Sequence, residues 1–326
     1  MRTKGLSYCI FVICSVVLFS FLLGGCASLH EAKKSSAKPV RRLIPFKSSK
    51  ATHAYLKKKI ALTRFENKTQ YTELNFDTSF QNALLKTLQA SCPTTHLVLL
   101  GDPGFPTFLI NLPLNSAGKI DSFVLAQKAK PHGFNAILNA SLLGIRHKPE
   151  KKGLRWFRGL LPWFNDSRMM LEVQVAAEMF DTESGAKLMD EVFLHEIEVN
   201  QTDLEDSQNT KIQNLDVLNE MLDEIADAMS EKICDTIRPL PWVGFVLRAD
   251  ANQIIISGGE KTGLKPGQLF EVFNTSRVMQ GADGQRFYLR GEKAGEIRIK
   301  IVHENKAEAV MVSGQLIMPG NSIIPK

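Results

Sequence analysis

Apolar and polar positions follow two different periods in the first three quarters of this chain, and the periods predict its elements. Spacings of three and four residues indicate amphipathic helices, and strict alternation indicates half-buried strands. The last helix is the longest of the predicted helices, with apolar residues at this spacing from Leu215 to Ile237. The pattern predicts strand, helix, strand, helix, strand, hairpin and helix, at residues 59–67, 76–88, 96–100, 120–130, 135–145, 169–199 and 215–237.

The pattern changes beyond Arg238-Pro239. Short apolar strands now alternate with glycine-containing turns, at 243–247, 253–256, 269–273, 296–302 and 307–312. Regular short strands with turn signals are typical of a small closed or nearly closed β-barrel. We therefore predict an α+β fold: a mixed α/β sandwich over residues 59–238, followed by a small all-β barrel-like domain over residues 239–326.

The amino terminus has the pattern of an export signal: a basic start, an apolar run from Tyr8 to Leu23 and small residues after it. Leu23-Gly24-Gly25-Cys26 resembles the lipobox of bacterial lipoproteins, in which the cysteine is acylated and the peptide is cut just before it. The alternative is a transmembrane anchor, but roughly 16 apolar residues fall short of the ~20 that a spanning helix needs. We predict a signal peptide at residues 1–25 and a lipid-modified, palmitate-type anchor at Cys26.

Charge is concentrated in the segment after this cysteine. The whole chain carries +6, of which residues 27–59 contribute +9 and the signal +2, so residues 60–326 carry −5. The segment 26–58 is rich in Lys, Ser, Ala and Pro and has no apolar period, which predicts a basic tether. A mildly acidic body argues against nucleic acid as a partner, since a nucleic-acid-binding domain carries its basic patch on its folded surface.

Five cysteines occur in the chain, and the signal and the anchor account for three of them. Cys92 and Cys234 remain in the part predicted to fold. In an exported protein such a pair is a candidate disulfide, and two buried free thiols are the alternative.

No motif for catalysis or metal binding emerges. His195-Glu196 lacks the second histidine of a zinc protease, and Gly258–Lys265 lacks the Gly-Lys-Ser/Thr ending of a phosphate loop. No Gly-x-Ser-x-Gly elbow and no Cys/His cluster with metal-ligand spacing occurs in the sequence. We predict a protein that is not an enzyme, with no catalytic residues, no cofactor and no metal.

An unusual basic and aromatic stretch lies between two predicted strands, at residues 146–168. Basic residues beside aromatic and aliphatic ones are typical of a loop that docks on a membrane interface or a partner. A loop that folds back and buries its aromatics over the sheet edge is the alternative. The candidate docking side chains are Trp156, Phe157, Leu160, Leu161, Trp163 and Phe164.

The order of elements and Lys59-Ile60-Ala61-Leu62-Thr63-Arg64-Phe65-Glu66-Asn67 resemble the TolB amino-terminal type domain, which also occurs in the curli assembly lipoprotein. The tail, with Gly258-Gly259, Pro266-Gly267 and Gly295–Ile299, is similar to the carboxy-terminal domain of flagellar assembly protein T. The resemblance implies non-catalytic roles in assembling the bacterial cell envelope. The tether leaves no room for the extra amino-terminal domain of flagellar assembly protein T.

The sequence thus favours a lipid-anchored scaffold or docking component of an envelope machine. The membrane is its partner through Cys26, the protein partners are unnamed, and a homo-oligomer is left open. Because Ala27 rather than Asp follows the cysteine, the resemblance to lipoproteins implies the outer membrane, with the body facing the periplasm. The alternatives are an oligomeric secretion pore of the curli type and, less favoured, a cell-wall or lipid hydrolase.

Overall fold

The structure is a computed structural model that describes residues 56–71, 76–103, 105–151, 167–199, 215–250, 253–275, 277–282, 284–314 and 316–326. Cys26, the tether up to residue 55 and the aromatic segment from Trp156 to Phe164 lie outside these ranges. The predictions made for them therefore stay predictions.

The first part of the fold is a mixed sheet with three helices. Its elements are β1 (Lys58–Leu62), β2 (Glu66–Asn67), α1 (Phe76–Ser91), β3 (Thr95–Val98), α2 (Ser122–Ala129), β4 (Ala136–Lys151), β5 (Ser167–Asp181), β6 (Lys187–Val199) and α3 (Leu215–Ile237). In the described part of the chain the strands form one sheet in the order β3-β1-β4-β5-β6, and β2 pairs with β4. The β1 pairings with β3 and β4 are parallel, whereas β4, β5 and β6 pair antiparallel.

The helices cover this sheet because their apolar stripes face it. Helices α1 and α3 pack on one face, and together with the strands they bury a core that includes Phe80, Leu84, Leu222, Ile225 and Met229. Helix α2 covers part of the other face over a smaller core. The side chain of Asp121 caps the start of α2 by accepting a hydrogen bond from the Val124 N–H. The three helices and the hairpin predicted from the apolar periods are confirmed.

The rest of the chain is a β-barrel. Its strands are β7 (Gly244–Ala249), β8 (Ile254–Ser257), β9 (Leu269–Phe273), β10 (Arg277–Gln280), β11 (Arg286–Leu289), β12 (Lys293–Val302), β13 (Lys306–Gly314) and β14 (Ser322–Pro325). Within the described residues, six of them close a barrel in the order β12-β13-β8-β7-β14-β9, and β10 and β11 form a separate hairpin. The α+β fold with a small closed barrel is confirmed.

The prediction misses two features of the barrel part. Strand β14 closes the ring between β7 and β9, although its four residues include a proline. The β10–β11 hairpin has no buried face of its own, because most of its side chains are exposed or half-buried. It is held instead by the sheet part: Tyr288 stacks on Phe123 of α2, and Arg290 forms a two-pronged ion pair with Glu183 in the β5–β6 turn.

The boundary of the tether lies earlier than predicted. Leu56 is buried in the barrel core, and Lys57 N–H donates a hydrogen bond to the Thr262 carbonyl. Lys58 is also buried and begins β1. Residues 56–58 therefore belong to the fold. The local sequence does not reveal this, because Leu56 packs in a core made of barrel residues far along the chain.

The two parts share a polar seam. The side chain of Asn135 accepts from the Lys59 N–H of β1 and donates to the Val243 carbonyl beside β7, at 2.9 and 2.7 Å. The Trp242 indole N–H donates to the Lys57 carbonyl at 3.2 Å. Residues 49–326 form one compact unit, so the division into two domains at residue 238 stays a prediction.

Candidate functional site: a basic groove at the sheet edge

A groove of about 920 Å³ runs along β3, which lies at one edge of the sheet. Five consecutive residues from Thr95 to Leu99 form its floor. One wall comes from Leu85 and Gln89 of α1, and the other comes from the β12–β13 turn at residues 303–306. The groove exists because the barrel stands beside the sheet edge without covering it.

Four lysines line this groove, and we call it the basic groove. Lys57 directly precedes β1 and Lys59 lies in it, whereas Lys261 comes from the short 3-10 turn after β8 and Lys306 from the start of β13. Lys261 forms an ion pair with Glu304 at 2.6 Å. Among the described residues, no carboxylate lies within ion-pairing distance of the other three. Within the described residues the groove therefore carries more positive than negative charge, with four lysines against Asp102 and Glu304.

The two acidic groups of the groove are already engaged. Glu304 pairs with Lys261, and the Asp102 carboxylate accepts a hydrogen bond from the Leu99 N–H at 2.8 Å. Lys59 is held in position by donating to the His132 carbonyl at 3.1 Å, and its ammonium group lies over the Phe134 ring.

The positive charges of the groove are close enough to lower the pKa values of Lys59 and His96. Burial lowers the pKa of Lys59 below its usual value of 10.5, and the neighbouring Lys261 lowers it further. Burial also lowers the pKa of His96, as do Lys59, Lys261 and Lys57, while Asp102 acts in the opposite direction. An anion in the groove would relieve this repulsion, so the site favours a negatively charged ligand.

A second groove of about 960 Å³ lies on the α2 side of the sheet, and its charges are compensated. There Lys187 pairs with Glu178 and Asp190, and Arg286 lies 3.8 Å from Asp121. Of these two grooves, the one along β3 is therefore the better candidate for recognising a ligand by charge.

Lys58 lies behind the basic groove and serves the fold rather than a ligand. Its buried ammonium group donates to the carbonyls of Ile237 and Arg238 at the end of α3, at 2.6 and 3.1 Å. A cation at this end of a helix is favoured by the helix dipole. Burial nevertheless lowers the pKa of Lys58 from 10.5 to about 8.

We expect Lys58→Met to lower the free energy of unfolding by about 2 kcal/mol at pH 7, because two buried carbonyls lose their donor. The difference from the wild type should grow between about pH 8 and 10.5. In this window the unfolded wild-type chain keeps the lysine proton and the folded protein releases it, so wild-type stability rises with pH.

Urea unfolding of both proteins at pH 7, 8, 9 and 10 measures this difference. Burial also lowers the pKa of Lys130 to about 8, but this lysine is present in both proteins and its effect cancels. A difference that stays constant from pH 7 to 10 would show that Lys58 does not titrate in this range.

Of the sequence-predicted sites, the structure brings one pair together. Cys92 at the end of α1 and Cys234 near the end of α3 are both buried, with their Cα atoms 5.7 Å apart and their sulfur atoms in bonding contact. This Cα separation lies within the range of protein disulfides. Among the described residues, no three His, Cys, Asp or Glu side chains form a group that could hold a metal.

Sequence reasoning missed the basic groove. Its lysines are up to 249 positions apart, counted from Lys57 to Lys306. Lys57 falls within the predicted tether, and Lys261 lies in Gly258–Lys265, which lacks the ending of a phosphate loop. The one local signal was the run Lys57-Lys58-Lys59, whose alternate members point into the groove while the middle one is buried.

Within the described ranges, no helix has both the length and the apolar character needed to cross a membrane. The comparisons with known proteins give structural similarities alone, since no family model and no curated protein matches the chain. Hypothetical protein CT253 from Chlamydia trachomatis is 14% identical, with a TM-score of 0.32, over 55% of this chain and 99% of that one.

Two proteins from Acinetobacter baumannii are also similar. A minor lipoprotein is 13% identical, with a TM-score of 0.27, over 55% of this chain and 93% of its own. TolB is 12% identical, with a TM-score of 0.27, over 80% of this chain and 62% of its own. None of these scores reaches 0.5, so we base no conclusion about function on them.

Proposed function

We propose that this protein is a non-catalytic, lipid-anchored docking component of the bacterial cell envelope. Cys26 carries the lipid, the basic segment that follows is the tether, and the sheet and barrel form the body that binds a partner. The observation that carries the docking role is the basic groove, a concave surface with an excess of positive charge at a sheet edge that no strand covers within the described residues.

The place where the tether joins the body supports this proposal. Leu56 is buried in the barrel core and the next residue, Lys57, lines the basic groove. A partner bound in the groove would therefore lie beside the attachment point of the tether. The polar seam through Asn135 joins β1, which carries Lys59, to Val243 beside β7, so the sheet part and the barrel part that border the groove are held together.

The anchor is tested by Cys26→Ser in the full-length protein. The variant is expected to lose the acyl mass on the amino-terminal peptide and to move from the membrane fraction to the soluble fraction. Retention of both would end the lipid-anchor proposal.

Docking is tested in intact cells with a photo-crosslinking amino acid placed at Asn305, in the wall of the basic groove, or at Lys265 as the control. Both positions are exposed turns of the barrel part. A discrete crosslinked product is expected from position 305, and its yield should fall in the Cys26→Ser background because the body is no longer held at the membrane. Equal labelling at both positions would contradict a specific docking site.

A further inference from the structure

The occupant of the basic groove can be inferred from its main chain and its charge together. We propose that the groove binds an extended acidic peptide segment of a partner protein, which adds to the sheet as a strand next to β3. This inference deepens the proposed docking function and rests on it, because it names the chemistry of the partner at the same site.

The first argument is that β3 offers free main-chain groups. It pairs with β1 on one side, and within the described residues no strand pairs on its other side. Since Lys58 N–H donates to the Thr94 carbonyl, the N–H groups of His96 and Val98 are the ones that face β1. The N–H of Leu97 and the carbonyls of Thr95 and Leu97 then point into the groove.

The neighbouring N–H groups on the same side are already satisfied. The Thr95 N–H donates to the Cys92 carbonyl, and the Leu99 N–H donates to the Asp102 side chain. Because of these bonds, the main-chain groups that remain free on this side of β3, in the described part of the chain, are the N–H and carbonyl of Leu97 and the carbonyl of Thr95. An added strand would gain about three main-chain hydrogen bonds there, which is a short but directional contact.

The second argument is the spacing of charge around this edge. Successive side chains of a strand point to opposite sides, so a strand beside β3 would direct alternate residues to the α1 wall and to the barrel wall. The barrel wall carries Lys261 and Lys306, and Lys57 and Lys59 lie at the amino-terminal end of the floor. Carboxylates at alternate positions would therefore meet lysines, whereas apolar residues would meet Leu85 on α1.

The shape of the groove distinguishes a peptide from a lipid surface. The two walls enclose the floor, and a flat membrane surface would touch their rims without reaching the main chain of β3. A short contact of this size is typical of weak, transient interfaces. We therefore expect saturable binding that weakens as salt screens the lysines.

The test uses the full-length lipidated protein in non-ionic detergent and three fluorescent decapeptides with blocked ends. The first alternates valine and glutamate, the second alternates valine and lysine, and the third is the first with every residue N-methylated. Fluorescence anisotropy should show saturable binding of the first peptide and no binding of the second. The N-methylated peptide should bind at least tenfold more weakly, because it has the charge but lacks the donors for β3.

Two double variants locate the binding. Lys57→Gln/Lys306→Gln removes two exposed groove lysines that have no ion-pair partner among the described residues. Lys265→Gln/Lys300→Gln removes two exposed lysines elsewhere on the barrel part. Loss of two exposed charge contacts is expected to weaken binding up to about tenfold in the first variant. The second should bind as the wild type does, and circular dichroism should be unchanged in both.

Three results would overturn the inference: no saturable binding of the valine–glutamate peptide, equal binding of its N-methylated form, or equal loss in both double variants. Displacement of the peptide by inorganic phosphate as efficiently as by unlabelled peptide would also overturn it, by showing a simple anion site. None of these results bears on acylation of Cys26 or on crosslinking at position 305. Failure of the peptide inference therefore differs from failure of the docking proposal.

Discussion

Reduction of the Cys92–Cys234 pair is expected to lower the free energy of unfolding by about 5 kcal/mol. The two cysteines are 142 positions apart, and in the chain-entropy model a cross-link that closes so long a loop removes much of the freedom of the unfolded chain. The bond would also join the carboxy-terminal ends of α1 and α3, where the Thr87 and Ser230 hydroxyls share a hydrogen bond. Urea unfolding with and without reductant measures the change.

The double variant Cys92→Ala/Cys234→Ala is the control, because its stability should be low and insensitive to reductant. Alkylation of the unreduced, unfolded protein followed by mass spectrometry tests the bond directly. Two alkylated thiols in protein purified without reductant would mean that these cysteines are only buried neighbours.

Gly259→Ala is expected to destabilise the protein by about 3 kcal/mol, because a methyl group there has no space. It would lie 2.6 Å from the Glu304 carbonyl oxygen and closer still to that of His303. The clash falls where two turns are joined, since the Glu260 and Lys261 N–H groups donate to these same carbonyls. The substitution should separate the turns that carry Lys261 and the wall of the basic groove.

Gly267→Ala is the matched control for this variant. Its added methyl group meets nothing within 4 Å, but its φ of +87° is unfavourable for alanine, at a cost of about 1–2 kcal/mol. Thermal and urea unfolding should rank Gly259→Ala as the less stable of the two. If Gly259→Ala is as stable as the control, the two turns can move apart freely and do not form a fixed wall.

Reduction of the Cys92–Cys234 pair and the Gly259→Ala substitution both bear on the docking proposal. The Cys92–Cys234 pair lies at the carboxy-terminal end of α1, the helix that forms one wall, and the turn contact at Gly259 holds the barrel wall. Loss of either should therefore lower the proposed peptide affinity without removing a groove lysine. Such a result would tie binding to the rigidity of the groove as well as to its charge.

The predicted elements were found where a repeated pattern covers many residues. Helix α3 begins and ends at the residues indicated by its apolar spacing, and β5 and β6 form the hairpin predicted at residues 169–199. The pattern succeeds because each of these elements buries one face on a core. Its apolar residues therefore recur with the period of a helix or a strand. The same reasoning fails for β10 and β11, which bury no face and depend on contacts such as Tyr288 with Phe123.

Element boundaries were less accurate for a related reason. Strand β4 continues to Lys151 and β5 begins at Ser167, so both ends of the basic and aromatic stretch belong to strands rather than to a loop. Pairing with a neighbouring strand can extend a strand through polar residues, because main-chain hydrogen bonds do not depend on side-chain polarity.

The sequence by itself determined the order of helices and strands, the α+β class and the candidate cysteine pair, since each of these depends on residue type and spacing. It also contains the lipobox-like Leu23–Cys26, on which the predicted location depends. Only the tertiary structure decided that Leu56 belongs to the barrel core and that four distant lysines share one groove. The physical reason is that convergence of distant residues depends on how a barrel and a sheet edge pack together, and no local period encodes that packing.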